Sequence, residues 1–146
     1  MTTRAAQGIR TLSEDLRLAC MRISRRVRFE SGDAIAPHQF SVIARLEGGP
    51  LTPRALADIE KVSAPSMTRT VGCLVDDGYA TREPHPEDGR QVRVTLTDRG
   101  RELVRAGRAE RDAWLRSRLD GISAEERESL REATALLRRT LVPPRD

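Results

Sequence analysis

Ser63, Ser66, Thr68 and Arg69 stand close together in the run SAPSMTRT, with Pro65 and Thr70 between and beside them. If the run is helical, short hydroxyl side chains and one guanidinium crowd the N-terminal end of a helix. Small hydroxyls let a helix approach base edges, the first-turn N–H groups and the helix dipole favour phosphate, and an arginine can donate two hydrogen bonds to guanine. A second arginine, Arg90, ends the turn-forming run Pro86-Glu87-Asp88-Gly89-Arg90. On a narrow hairpin tip such a side chain can enter a minor groove, where the potential is most negative. Asp88 would cancel that charge if it merely floated nearby, so we read it as a hydrogen-bond acceptor that orders the loop and aims Arg90. The sequence carries no nucleophile–base pair, carboxylate dyad or phosphate loop, so an enzyme is not expected. Cys20 and Cys73 lack CxxC spacing and His38 and His85 are isolated, so neither a metal nor a cofactor is expected.

These side chains need elements to hold them. Ser63 caps a helix whose buried stripe is Met67, Val71 and Leu74, leaving Ser66, Arg69 and Thr70 outside and Thr68 towards the flank. Gly78 ends it at the position where glycine alone is unstrained. Thr52-Pro53 reads as the cap and first residue of a shorter helix before it, with Leu56 and Ile59 inward, and Glu60 to Val62 turn the chain. After Gly78 the period changes to two: Val92, Val94 and Leu96 alternate with Gln91, Arg93 and Thr95, and with Tyr79 to His85 they make a hairpin.

On either side the periodicity is helical. From Leu12, the residues Leu16, Ala19, Cys20, Ile23 and Val27 form an apolar stripe that ends near Ser31-Gly32. A second helix begins at Pro37, buries Phe40, Ile43 and Leu46, and stops at Gly48-Gly49-Pro50. Thr97 with Asp98 opens a long helix through Leu103, Ala106, Trp114, Leu115 and Leu119, broken near Gly121. Ser123-Ala124-Glu125-Glu126 is a capping box opening a last helix with Leu130, Ala133, Leu137 and Leu141 inward and Pro143-Pro144 as its stop. The expected fold is mainly α, six helices with a small β-hairpin wing: a winged helix-turn-helix within a single domain.

Overall charge is a poor guide to function. The 146 residues carry +4, yet residues 1–51 hold 8 basic and 5 acidic groups, 52–100 hold 7 and 8, and 101–146 hold 11 and 9. The segment assigned to nucleic acid is therefore not the basic one, and the case rests on individual arginines. Helix-turn-helix patterns also occur in proteins that bind no DNA, and charged hairpin tips are often just solvated, so a winged-helix protein-interaction module stays open. No apolar stretch reaches the length of a membrane span, and a cytoplasmic protein is expected.

The run SAPSMTRTVGCLVDDGYATREPHPEDGRQVRVTLTDRG, residues 63–100, resembles the recognition helix and wing of the MarR family of bacterial transcriptional regulators. The capped helix, Leu74-x-x-x-Gly78, Asp88-x-Arg90 and Leu96-Thr97-x-x-Gly100 match together. Residues 37–47 and Leu51-Thr52 to Ile59 are similar to the helices that precede them in the family. The resemblance implies major-groove contacts from Ser63, Pro65, Ser66, Thr68 and Arg69, to which the exposed face adds Thr70. It also implies phosphate contacts near Thr52 and Arg54, and minor-groove insertion by Arg90 on a loop held by Asp88. It further implies a homodimer, with residues 1–34 and 101–146 as dimerisation helices and 35–100 as the DNA-binding region. Such a dimer would act as a repressor on a near-palindromic operator in double-stranded DNA, answering to an aromatic or anionic small-molecule effector. Three residues depart from the family pattern: Gly89 where a second arginine is common, Lys61 where glycine is usual, and Glu60 in place of an apolar residue. Cys20 on the first helix raises the alternative of a cysteine-based redox-sensing regulator against a buried structural thiol, and Cys73 reads as packing. Trp114 reads as part of the dimer core or as an effector-pocket wall, and His85 as solvated or touching phosphate.

Overall fold

A computed structural model describes residues 2–30 and 34–141. Its elements are α1 (Thr2–Glu30), α2 (Pro37–Arg45), a 3-10 turn (Leu46–Gly48), α3 (Pro53–Glu60), α4 (Ala64–Asp76), β1 (Ala80–Pro84), β2 (Val92–Leu96), α5 (Asp98–Leu119) and α6 (Ala124–Thr140). Six α-helices and one antiparallel hairpin are what the periodicity predicts. Helix α1 starts well before Leu12, through residues with no strong breaker but Gly8. The expected ends at Ser31-Gly32 and Pro143-Pro144 lie outside the described residues. Among those residues no helix is long and apolar enough to cross a membrane. The chain forms two compact units, residues 1–111 and 112–146, and the division falls inside α5.

In the first unit one core gathers Phe40, Val42, Ile43 and Leu46 around α2, Leu56 and Ala57 of α3, and Met67, Val71 and Leu74 of α4. Ala80, Val94 and Leu96 of the hairpin and Val104 of α5 complete it. The hairpin pairs Ala80 with Leu96, Arg82 with Val94 and Pro84 with Val92. Alternation puts Val94 and Leu96 inward, but Val92 lies further out along the wing, past the core, and is exposed. Leu51 adds a bridge on the outer side of β2, exchanging both backbone hydrogen bonds with Val94 at 3.2 and 2.8 Å. Helix α5 approaches closely because of two glycines. A Cβ on Gly107 would stand 2.3 Å from the Phe40 ring, and one on Gly100 would stand 2.1 Å from the Tyr79 carbonyl oxygen.

The α1 stripe is only partly covered: Leu16 and Val27 are half-buried, whereas Leu12 and Ile23 are exposed. Cys20, expected to be buried there, is exposed. In the second unit the capping box forms as predicted. The Ser123 Oγ accepts the Glu126 N–H at 3.1 Å and the Glu126 carboxylate accepts the Ser123 N–H at 2.8 Å. The Arg127 guanidinium donates to the Leu119 and Ile122 carbonyls and so closes the turn. Of the apolar positions expected inward on α6, only Leu137 is half-buried, and Leu130, Ala133 and Leu141 are exposed. The end of α5 is too short a partner to cover a stripe that runs the length of α6. Trp114 is half-buried, with the Arg118 guanidinium 5.2 Å from its ring centroid.

Candidate nucleic-acid interface

Thr52 and Pro53 open α3 as expected, the Thr52 Oγ1 accepting the Ala55 N–H at 3.1 Å. The inward face of this helix is Leu56 and Ala57, and Ile59 is exposed. At 100° per residue Ile59 points well away from the mean of positions 56 and 57, whereas Glu60 returns to it. That position carries a carboxylate because the fold supplies partners from α2. The Ser41 hydroxyl donates to one Glu60 oxygen at 2.6 Å and Arg45 Nε donates to the other at 2.8 Å. Burial opposes ionisation of Glu60, but these two bonds and the charges of Arg45 and Arg28 outweigh it and hold the carboxyl below its ordinary range. Lys61 follows in the left-handed conformation, φ 56°, which explains why glycine suits this turn. Among the described residues no other non-glycine has a positive φ.

Helix α4 begins at Ser63, whose Oγ accepts the Ser66 N–H at 3.3 Å. Its buried positions are Met67, Thr70, Val71 and Leu74. Thr70 is therefore not on the outer face: at 8% exposure it fills the i+3 place in the stripe, and its hydroxyl donates to the Ser66 carbonyl at 3.1 Å. Ser63, Pro65, Ser66, Thr68 and Arg69 are exposed together. The Thr68 hydroxyl donates to the Ala64 carbonyl at 2.9 Å, which leaves its lone pairs outward as acceptors. Cys73, expected to pack, is exposed. At the far end Gly78 adopts φ 77°, and the Gly78 and Tyr79 amides donate to the Val75 and Leu74 carbonyls.

The wing is positioned from that helix end. The Thr97 hydroxyl donates to the Gly78 carbonyl at 2.8 Å and accepts the Gly100 N–H at 3.0 Å, so one side chain joins the end of α4 to the start of α5. In the loop, Asp88 Oδ1 accepts the Arg90 N–H at 3.1 Å, and Oδ2 accepts from the Gln91 amide nitrogen at 3.1 Å. The loop closes with the Gln91 N–H on the Asp88 carbonyl and the His85 N–H on that of Gln91, both at 2.9 Å. His85 is half-buried and accepts the Glu87 N–H at 3.3 Å through Nδ1. Arg90 is exposed at the tip. A Cβ on Gly89 would meet no atom within 4 Å, so packing does not exclude a second arginine there.

The acidic balance of residues 52–100 overstates their negative surface. Glu60 is turned inward on Ser41 and Arg45, Asp88 is engaged within its loop, and Asp98 pairs with Arg101 at 3.0 Å. No ion pair among the described residues engages Arg54, Arg69, Arg82 or Arg90. The Ser41 and Arg45 contacts were not readable from the sequence, because 19 and 15 residues separate them from Glu60. Among the described residues no group of three or more His, Cys, Asp or Glu side chains could hold a metal ion.

Two short helices at a tight turn, the second presenting hydroxyls and an unpaired arginine, with an arginine-tipped hairpin beside them, define a winged helix-turn-helix DNA-binding protein. Residues 35–91 match the model of the MarR family. An uncharacterized HTH-type transcriptional regulator of Mycobacterium bovis is 44% identical over 86% of this chain and 90% of its own length. The chain belongs to the MarR family, and it is a DNA-binding transcriptional regulator rather than an enzyme. Among solved structures, apo MarR of Escherichia coli shares the fold with a TM-score of 0.74 at 24% identity, over 86% of this chain and 95% of that one. A Staphylococcus aureus MepR mutant bound to an oligodeoxyribonucleotide shares it with a TM-score of 0.65 at 20% identity, covering 86% and 94%.

Proposed function

We propose that the chain acts as a homodimeric repressor whose two reading heads bind a near-palindromic operator. The half-sites would lie one helical turn, roughly 34 Å, apart. Ser63, Pro65, Ser66, Thr68 and Arg69 face the major groove, Thr52 and Arg54 meet phosphate, and Arg90, held by Asp88, enters the minor groove. The observation that carries this reading is that Arg69 on α4 and Arg90 at the wing tip are both exposed and, among the described residues, held by no carboxylate. The MepR complex with an oligodeoxyribonucleotide supports the general mode of binding.

Dimerisation is supported by apolar side chains that the single chain leaves exposed, among them Leu12, Leu18 and Ile23 on α1 and Leu130 and Leu136 on α6. Residues 1–34 and 101–146 supply that interface, and 35–100 form the reading head. A small anionic effector is supported by a hollow of about 240 Å³ in the first unit where Arg28, Arg45, Arg108 and Arg111 converge with Ser41, Pro37 and Ala44, although Glu60 and Glu47 offset the charges of Arg45 and Arg108. Such a ligand acts by preferring a head spacing that does not match the operator.

The test is a fluorescence-anisotropy titration of operator and random duplexes at fixed salt. Arg90→Ala should weaken binding to both, and Arg69→Ala should narrow the gap between them. Unchanged affinity in both variants would sink the mechanism.

A further inference from the structure

Arg82 lies in the middle of β1, directly opposite Val94, so its side chain leaves the hairpin on the face that further in carries Ala80 and Leu96. Val94, directly across from it, is buried in the core, whereas the long, charged Arg82 side chain stays at the surface. The guanidinium instead reaches α4: a terminal nitrogen lies 3.8 Å from where a Cβ on Gly72 would stand. Gly72 is three residues beyond Arg69, on the same side of the helix. The guanidinium thus ends in ordinary contact range of the α4 surface. Arg82 is exposed, and no carboxylate among the described residues pairs with it. Glu83, its neighbour in sequence, stands on the opposite face of the strand, across from Arg93. A planar donor fork with no internal partner, resting beside the reading helix, is suited to a phosphate oxygen.

We infer that Arg82 bridges the wing and the recognition helix and clamps a backbone phosphate between the two grooves they enter. The inference rests on the reading that this face binds duplex DNA. It assigns to a wing-strand residue a share of the binding that neither the loop tip nor the exposed face of α4 supplies. Because a phosphate carries no base identity, the contribution is the same on every sequence and appears in the salt dependence.

The experiment titrates the full-length protein against a promoter duplex from its own gene and a random-sequence duplex, over a series of salt concentrations. The variants are Arg82→Ala, Arg82→Gln, Arg82→Lys and Arg90→Ala, each checked by circular dichroism. Arg82→Ala and Arg82→Gln should weaken binding to both duplexes by roughly tenfold and reduce the slope of log K against log salt by about 0.9, the value for one phosphate contact. Arg82→Lys, which keeps the charge, should restore the slope. Arg82→Gln keeps the bulk and a donor, so it decides the matter if Arg82→Ala is misfolded. A wild-type slope in Arg82→Gln while Arg90→Ala still weakens binding would overturn the inference and leave the DNA-binding face standing. Loss confined to the promoter duplex would overturn it too, by showing base contact. If Arg90→Ala and the Arg82 variants all bind as the parent does, the reading that this face meets the duplex itself fails.

Discussion

At Gly100 a methyl group would stand 2.1 Å from the Tyr79 carbonyl oxygen and 2.7 Å from the Leu96 side chain. Neither neighbour can retreat, since the Tyr79 carbonyl accepts the Thr97 N–H at 3.1 Å and Leu96 is in the core. Gly100→Ala should therefore lower stability by about 2–3 kcal/mol, read as an earlier midpoint in urea unfolding. Gly89 is the converse case. Nothing lies within 4 Å of its would-be Cβ, and it is not among the glycines with positive φ. Gly89→Arg should fold like the parent, bind duplex DNA several-fold more tightly and steepen the salt slope by about 0.9. An unchanged slope would show that the wing tip stands away from the phosphates. Both glycines belong to recognisable motifs, but only the packing separates the one that is required from the one that is merely present.

At the scale of elements, the helix-turn-helix is tethered through a charged group. Glu60 occupies an inward position of α3 and is held by Ser41 and Arg45 of α2. Its carboxyl is depressed below the ordinary value of 4.5, so the stabilisation it gives is complete above that value and is lost as pH falls through the lower, folded-state value. Glu60→Gln should be less stable than the parent by about 1–2 kcal/mol at neutral pH, the half-exposed Arg45 keeping the figure modest. Thermal melts should converge once the pH is well below 4.5. A constant gap at every pH would show that the tether does not depend on charge. The same element explains an error of pattern reading. Ile59 looked inward because apolar residues are expected to be, yet the face is set by Leu56 and Ala57, and a glutamate with partners can occupy it.

For the whole molecule, the exposed apolar stripe of α1 is the feature a single chain leaves unexplained. Leu12 and Ile23 are 67% and 52% exposed. Size-exclusion chromatography with light scattering should give twice the 16.3 kDa of one chain. The double variant Leu12→Asp with Ile23→Asp should run as a monomer, and its operator affinity should fall by at least about a hundredfold as the second half-site contact is lost. A monomeric parent protein, or a double variant that stays dimeric, would remove α1 from the interface.

What could be read from the chain alone lay within a few residues of itself. The caps at Thr52, Ser63 and Ser123, the glycine ending at Gly78, the period-two run of β2 and the acceptor role of Asp88 are all local. Hydrogen bonds between near neighbours leave a mark in the order of residue types. The family resemblance was legible for the same reason, because its motifs are runs of such local signals. The tertiary structure decided whatever depended on distant partners. It buried Thr70 in the stripe of α4, turned Glu60 onto α2, required glycine at Gly100 and brought the Arg82 guanidinium up to α4 beside Gly72. Those outcomes follow from which surfaces meet after the chain has folded, and spacing along the sequence carries no record of that.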